Sequence, residues 1–389
     1  MNNKFLENLN LASLIAPVTT QEFLSRYWEK QPLIIHRKDS NYYGNLFTLN
    51  DYDDAITRDP SYVKVADAIA KKNVSYSPLF VQGLEQTLED FRGGATLVLD
   101  QLQNKDPKLG LLCRTLAQEF SHRLQTNLYL TPPHGKGFTP HWDNHDVFIL
   151  QVEGYKHWNI ERERRVVPME GEKQGDQGRE LRGDLHTFTL NRGDIAYIPQ
   201  GFVHAAECGP EASLHITLGI HSVNWSDLLR ALITASMKLN EDIRGMLPFG
   251  FMHAPQSDLV RSTAAILRRM SDEEFLNVFM TNFRDECVKG FKMDISGQIL
   301  EFLRPAPLLI TDVVGPRPGI VYQLQSGDDS IEVKFGSRSI VFLGIFQEAL
   351  GFALKTPSFV IRTLPGNLAE VERIVLIERL IQEGLVVRK

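Results

Sequence analysis

Residues 140–151 read Pro-His-Trp-Asp-Asn-His-Asp-Val-Phe-Ile-Leu-Gln, and this stretch decides the fold that the sequence predicts. Its apolar run, Val147-Phe-Ile-Leu150, is typical of a buried strand. Just before it, His141 and Asp143 are two residues apart, so on an extended chain their side chains point to the same side. Two imidazoles and one carboxylate are the set that holds ferrous iron and leaves one face of the metal open. This stretch supplies two of these three ligands, one imidazole and the carboxylate.

A His-x-Asp triplet is a weak signal when it stands alone, because chance produces such triplets often. An ordinary hydrogen-bonded pair at the end of a strand is the alternative. The third candidate ligand, His204, follows a turn, the short strand Ile195–Ile198 and a Pro-Gln-Gly turn. A lone histidine in this place usually caps a loop. Beside the triplet, however, this arrangement is how a double-stranded β-helix presents its third metal ligand.

Residues 146–160 lie between these candidates and predict a hairpin with Glu153-Gly154 at its tip. In the return strand, Lys156 and Trp158 share one face. A lysine on a strand usually extends its ammonium group to water. The functional alternative is that Lys156 binds a carboxylate of a small dianion inside the barrel.

Residues 126–131 alternate in a way that makes Asn127 and Tyr129 project together from an upstream strand. Their amide and phenol groups are hydrogen-bonding groups of the kind that line a polar pocket. We therefore expect them to join Lys156 at the polar end of the same barrel.

Six motifs occur in one order over nearly the first 225 residues. They are Tyr27-Trp-Glu-Lys-Gln-Pro-Leu33, Asn127-Leu-Tyr-Leu-Thr-Pro-Pro133, Pro140-His-Trp-Asp-Asn-His-Asp-Val-Phe-Ile-Leu-Gln151, Gly154-Tyr-Lys-His-Trp158, Gly193-Asp-Ile-Ala-Tyr-Ile-Pro199 and Ser213-Leu-His-Ile-Thr217. Together they resemble the JmjC-type cupins of the ribosomal oxygenase branch.

The resemblance implies a protein hydroxylase that depends on iron(II), uses 2-oxoglutarate as co-substrate and consumes molecular oxygen. Three residues match the iron ligands of the family: His141, Asp143 and His204. Lys156 matches the basic residue that binds the distal carboxylate of 2-oxoglutarate. Three further residues fall where related members place co-substrate contacts: Asn127, Tyr129 and Thr217. By analogy, the target is an arginine or a histidine of a ribosomal protein.

The composition agrees with a multidomain globular protein, since 389 residues predict two or three domains and 43% apolar residues allow sizeable cores. No stretch approaches the roughly 20 apolar residues of a membrane span. The first residues carry no apolar signal region, so we expect no secretory leader. The three cysteines are widely spaced, which favours reduced thiols and a cytoplasmic location.

The net charge of −6 argues against a general polyanion binder and is compatible with a basic partner, such as a ribosomal protein. Simple solubility accounts for such a charge equally well. The polar, glycine-rich residues 171–178 predict a surface excursion.

The predicted fold class is α+β. A JmjC/cupin catalytic domain with a mixed N-terminal extension covers residues 1–225, a helical region covers 226–299, and a winged-helix-like domain covers 300–389. The pattern turns helical after Trp225 and includes a second helical tract over Arg261–Phe283. The resemblance implies dimerisation through these helices and hence a homodimer, although packing within one chain explains the same apolar faces.

The last 90 residues predict short strands and two helices, near residues 340–350 and 367–383. This order resembles the C-terminal winged-helix domain of the family. Basic and acidic residues are equally numerous from Leu300 onward, so the domain lacks the positive field of a DNA reader. We therefore expect a scaffolding role and no direct DNA binding.

Two other classes of function stay open at this point. The same three ligands hold zinc or manganese in cupin enzymes of other chemistry, and a catalytically silent cupin binds a ligand or partner without turnover. Lys156 favours the oxygenase, because a buried cation needs an anionic partner and 2-oxoglutarate supplies one.

Overall fold

The computed structural model describes residues 10–58, 63–67, 72–75, 81–169, 180–303 and 306–389. The chain divides into two compact units, Met1–Ser222 and Val223–Lys389. This division lies close to the predicted boundary after residue 225, whereas the boundary predicted after residue 299 stays a prediction. The surface excursion predicted over residues 171–178 lies outside the described residues.

The first unit is built mainly from antiparallel strands. Its strands are β1 (Leu33–Ile35), β2 (Val63–Asp67), β3 (Lys72–Ser75), β4 (Thr96–Leu99), β5 (Arg123–Thr131), β6 (Asp146–Glu153), β7 (Tyr155–Glu161), β8 (Leu185–Asn191), β9 (Ile195–Ile198), β10 (His204–Glu207) and β11 (Ser213–His221). Its helices are α1 (Leu11–Ile15), α2 (Thr20–Glu22), α3 (Leu49–Arg58), α4 (Val81–Arg92) and α5 (Pro107–Phe120), with a π-helix at Phe23–Tyr27 and a 3₁₀ turn at Leu102–Asn104.

Two antiparallel sheets form the barrel of this unit. The larger sheet has the order β1-β9-β6-β11-β5-β4-β2-β3, and the smaller has the order β10-β7-β8. Buried side chains from both sheets pack into one core: Val147, Ile149, Trp158, Ile160, Phe188, Leu190, Ala196, Ile198 and Phe202. Burial of a large apolar side chain contributes about 1.5–3 kcal/mol. This core holds the two sheets together, and the cupin barrel expected from the sequence is confirmed.

The hairpin predicted over residues 146–160 is wrong. β6 pairs with β9 and β11, whereas β7 pairs with β8 and β10, so the two consecutive strands belong to different sheets. Gly154 connects them with a φ of +59°, and a Cβ there would lie 1.9 Å from the carbonyl oxygen of Ala212. The Glu153-Gly154 turn is therefore a corner between sheets. The alternation within β7 is as predicted, because Lys156 and Trp158 are both buried.

The second unit begins with a helical cluster and continues into two small sheets. Its helices are α6 (Trp225–Leu239), α7 (Glu241–Arg244), α8 (Gln256–Met270), α9 (Glu273–Lys289), α10 (Gln298–Leu303), α11 (Gln347–Lys355) and α12 (Glu370–Gln382). Its strands are β12 (Val313–Pro316), β13 (Tyr322–Ser326), β14 (Ser330–Phe335), β15 (Arg338–Leu343), β16 (Phe359–Val360) and β17 (Val386–Arg388). The sheets have the orders β16-β12-β17 and β13-β14-β15.

Two predictions in this unit need correction. Residues 340–343 are not helical, because they continue β15 and pair with β14, and the helix begins only at Gln347. The tract over residues 261–283 is two helices, because the carboxylate of Asp272 accepts a hydrogen bond from the Phe275 amide at 3.0 Å and starts a new helix there. Within the described residues, no helix is long and apolar enough to cross a membrane.

Candidate metal and co-substrate site

Three candidate metal ligands lie together in the first unit. One ligand atom from each of His141, Asp143 and His204 lies within 4.8 Å of the other two. Nε2 of His204 is 3.6 Å from a carboxylate oxygen of Asp143, and the two imidazole ring centroids are 4.5 Å apart. The structure therefore brings together the three residues that the sequence singled out.

Backbone carbonyl groups orient both imidazole rings. Nδ1 of His141 lies 2.8 Å from the carbonyl oxygen of Thr139, and Nδ1 of His204 lies 3.0 Å from that of Phe202. A carbonyl oxygen only accepts hydrogen bonds, so each Nδ1 carries the proton and each Nε2 keeps its lone pair. This is the arrangement that fixes the tautomer of a histidine for metal binding.

The protonation states of the cluster also suit a metal. Burial would raise the pKa of Asp143, but the electrostatic effect of the neighbouring His141, His204 and His145 outweighs burial and holds this pKa below its usual value. Burial and the neighbouring His141 lower the pKa of His204 to about 4. At neutral pH the cluster thus offers an ionised carboxylate and a neutral imidazole, as metal ligands must be.

Lys156 is buried inside the same barrel and is only 3% exposed. Its ammonium group donates a hydrogen bond to the hydroxyl oxygen of Thr131 at 2.9 Å, and that hydroxyl lies 2.9 Å from the hydroxyl of Thr96. The described part of the chain places no carboxylate within ion-pair distance of this ammonium. Burial lowers the pKa of Lys156 to about 8. A buried cation that lacks an anion is costly unless a ligand supplies one.

The other predicted co-substrate residues lie on the neighbouring strands. β5 and β11 are paired so that Asn127 is opposite Thr217. The side-chain oxygen of Asn127 accepts hydrogen bonds from the Gln101 amide at 3.0 Å and from Nε2 of Gln125 at 2.9 Å. Burial, and then the negative charge of Asp143, raises the pKa of Tyr129, so its phenol stays protonated.

The sequence did not lead us to predict two residues of this pocket, Thr131 and His215. Thr131 follows Tyr129 by two residues on β5, and His215 precedes Thr217 by two residues on β11. The period of two that placed Asn127 and Tyr129 together extends to Thr131, and the same period, counted back from the Thr217 that the resemblance supplied, reaches His215. His215 is 3% exposed and stacks on Tyr129, with ring centroids 4.8 Å apart and ring planes at 1°.

The polar atoms of the pocket fit an anionic, oxygen-rich ligand. Nδ1 of His215 and Nε1 of Trp158 are buried and have no hydrogen-bond partner within the described chain. Their rings are perpendicular neighbours with centroids 5.6 Å apart. Lys156 adds a positive charge next to Thr131. The metal donor set and these groups line the inside of one barrel, so the residues fit a metal together with a carboxylate-bearing molecule.

Comparison with known proteins agrees with this geometry. The family model of the JmjC domain matches residues 99–228, which include all three candidate metal ligands. Ribosomal oxygenase 1 of Gallus gallus is 34% identical over 273 residues, which cover 65% of this chain and 45% of that protein. The bifunctional lysine-specific demethylase and histidyl-hydroxylase NO66 of Aedes aegypti is 28% identical over 303 residues, which cover 73% of this chain and 48% of that protein.

A solved structure has the same fold over nearly the whole chain. It is YcfD, a ribosomal oxygenase from Escherichia coli in complex with cobalt and 2-oxoglutarate, with a TM-score of 0.57 and 14% identity. The match covers 96% of this chain and 99% of that one. The chain spans about half the length of the two curated relatives. Residues 99–228 form a JmjC domain, and the resemblance to the ribosomal oxygenase branch is confirmed.

Proposed function

We propose that this protein is an iron(II)- and 2-oxoglutarate-dependent oxygenase that hydroxylates a side chain of another protein. The observation that carries the proposal is the presence, in one barrel, of the cluster His141, Asp143 and His204 and of a buried lysine to which the described residues supply no anion. The cluster suits a metal with open positions. Lys156 suits a co-substrate with a second carboxylate. The names of the relatives support the same activity.

The residues of the chain have distinct parts in this proposal. His141, Asp143 and His204 would hold the iron, and Lys156 would bind the distal carboxylate of 2-oxoglutarate. With iron bound there, molecular oxygen would be the oxidant: one of its atoms would enter the hydroxyl group on carbon, and the other would enter succinate as 2-oxoglutarate loses carbon dioxide. The apolar side chains between the two sheets keep bulk water away from the reacting centre.

The polar neighbours would orient the co-substrate. The amide of Asn127, the phenol of Tyr129 and the hydroxyl of Thr217 lie on adjacent strands of the sheet that lines the barrel. Because these strands are rigid, they hold hydrogen-bonding groups in place more accurately than loops do.

The proposed substrate is an arginine or a histidine of a basic ribosomal protein. Two observations support this choice: the names of the relatives include ribosomal oxygenase and histidyl-hydroxylase, and the chain carries a net charge of −6. A negative protein attracts a basic partner and accelerates their encounter.

We further propose that residues 226–299 form a dimerisation region and that residues 300–389 form a winged-helix-like scaffold that does not bind DNA directly. Helix α6 supports the dimer, because Leu229, Ile233 and Met237 lie one turn apart and are 52%, 48% and 42% exposed. The three cysteines are unpaired, which supports a reducing cytoplasmic location.

Anaerobic titration with Fe(II) and 2-oxoglutarate tests the proposed function. Bidentate binding of 2-oxoglutarate to the metal should produce a visible metal-to-ligand charge-transfer band in the wild-type protein and no band in His141→Ala. Absence of the band from folded, iron-loaded wild-type protein would refute the proposal and favour another metal chemistry or a binding role.

A further inference from the structure

We infer that His215 donates a hydrogen bond to a carboxylate of 2-oxoglutarate and is a co-substrate-binding residue of this barrel. The inference rests on the proposed function and adds a contact to it. His215 lies in β11, opposite Tyr129 in β5 and Gln151 in β6, with β11 between these strands. Its side chain belongs to the same face as that of Thr217.

The surroundings of His215 hold its ring in one place. The ring stacks on Tyr129 and meets Trp158 edge-on, with an angle of 76° between the planes. Aromatic contacts of these two kinds are both favourable geometries. The ring therefore cannot turn towards water, and only 3% of the residue is exposed.

Nδ1 of His215 has no hydrogen-bond partner among the described residues. Buried polar atoms are nearly always paired, so an unpaired one requires an explanation. Packing alone does not explain a histidine here, because phenylalanine would fill the same space without an unpaired nitrogen. The nearby Nε1 of Trp158 is unpaired as well. Two unpaired nitrogens beside Lys156 indicate that a ligand completes their hydrogen bonds.

Charge determines which kind of ligand fits. Burial, and then the positive charge of Lys156, lowers the pKa of His215 well below its usual value, so the imidazole is neutral. A neutral imidazole carries one N–H, and Nδ1–H can donate to an anionic oxygen. Trp158 only donates, and the ammonium of Lys156 only donates. His215 therefore adds an N–H donor beside Trp158 and near enough to Lys156 to be affected by its charge, and such donors match the oxygen atoms of a carboxylate.

The test compares co-substrate binding in four proteins: wild type, His215→Phe, His215→Gln and His157→Phe. Phenylalanine keeps a ring on Tyr129 and removes the nitrogen, whereas glutamine keeps a donor and removes the ring. His157 is the matched control, because its side chain lies on the less buried face of β7. There it forms a hydrogen bond with the hydroxyl group of Thr189. Anaerobic calorimetry with Mn(II)-loaded protein measures the affinity for 2-oxoglutarate, and a separate titration measures Mn(II) alone.

We expect His215→Phe to bind 2-oxoglutarate about 10- to 100-fold more weakly, which is the usual range for a hydrogen bond to a charged group. Affinity for Mn(II) should not change, His157→Phe should match wild type, and His215→Gln should recover part of the loss. If a folded His215→Phe variant binds 2-oxoglutarate as tightly as the wild type, the inference about His215 is wrong, but the proposed function stands. If this variant does not fold, His215→Ala provides the same test. A wild-type protein that does not bind 2-oxoglutarate would overturn the proposed function as well.

Discussion

The backbones of His141 and His204 exchange two hydrogen bonds. The amide of His141 lies 3.1 Å from the carbonyl oxygen of His204, and the amide of His204 lies 2.8 Å from that of His141. Neither bond involves an imidazole ring. The two candidate ligands are therefore held together by the main chain whether or not a metal is bound.

Replacing His141 with alanine should abolish iron-dependent turnover of 2-oxoglutarate and leave the fold intact. The change removes a half-buried ring but keeps both backbone bonds, so we expect a loss of about 1 kcal/mol of unfolding free energy. That loss lowers the melting temperature by about 2–4 °C for a unit of this size. Circular dichroism and succinate production provide the two measurements. Full turnover in the variant would refute the ligand assignment.

Replacing Lys156 with alanine should weaken 2-oxoglutarate binding by about 30- to several-thousand-fold. The change leaves a carboxylate unpaired in a desolvated pocket, which costs about 2–5 kcal/mol. Calorimetry measures the affinity. Lys136→Ala is the matched control, because Lys136 is half exposed and pairs with Glu207 at 2.7 Å. Equal affinities for the two variants would remove Lys156 from the site.

Co-substrate affinity should also fall as the pH rises through about 8. Burial lowers the pKa of Lys156 to about 8, so the free protein loses this positive charge above that pH and keeps it below. Affinity should be constant at lower pH and fall by up to about tenfold per pH unit at higher pH. Lys156→Arg should remain charged and show no such fall. The same pH profile in both proteins would contradict this explanation.

Replacing Gly154 with alanine should destabilise the first unit more than the same change at Gly183. Both glycines have positive φ, +59° and +69°, which costs a non-glycine residue about 1–2 kcal/mol. A Cβ at Gly154 would also clash with the carbonyl oxygen of Ala212, whereas a Cβ at Gly183 meets nothing within 4 Å. Chemical denaturation measures both variants. Equal losses would show that the corner between β6 and β7 tolerates a side chain.

Introducing glutamates at Leu229 and Ile233 together should convert a homodimer into a monomer. Both side chains are exposed on one face of α6, and two buried negative charges would oppose each other across a symmetric interface. Light scattering after size exclusion measures the mass. Thr234→Glu is the control, because Thr234 is an exposed polar position on the same helix. A wild-type monomer would contradict the proposed dimer.

The metal cluster could be predicted from the sequence because its signals are local. His141 and Asp143 are two residues apart, and a strand and a Pro-Gln-Gly turn precede His204. The alternation of β7 likewise placed Lys156 on a buried face. Such signals depend on the period of the chain and not on its pairing partners.

The sequence alone did not predict which strands pair with each other. The hairpin prediction failed because β6 and β7 are adjacent in the chain but pair with strands that come much later in it, as the pairings of Val147 with Ile198 and of Glu161 with Leu185 illustrate. His215 was missed for a related reason, since its significance comes from Tyr129 and Trp158, which lie on other strands. Residues 340–343 form a strand because β14 is available to pair with them.

The place of β11 in the larger sheet sets the order in which the pocket can be completed during synthesis. β11 is the last strand of the first unit in the chain, yet it lies between β5 and β6. A growing chain that ends at residue 212 already holds every candidate metal ligand but lacks the strand that carries His215 and Thr217. Contacts between segments so far apart in sequence form late and slowly. The candidate metal ligands are therefore synthesised before β11, the strand that completes the co-substrate pocket.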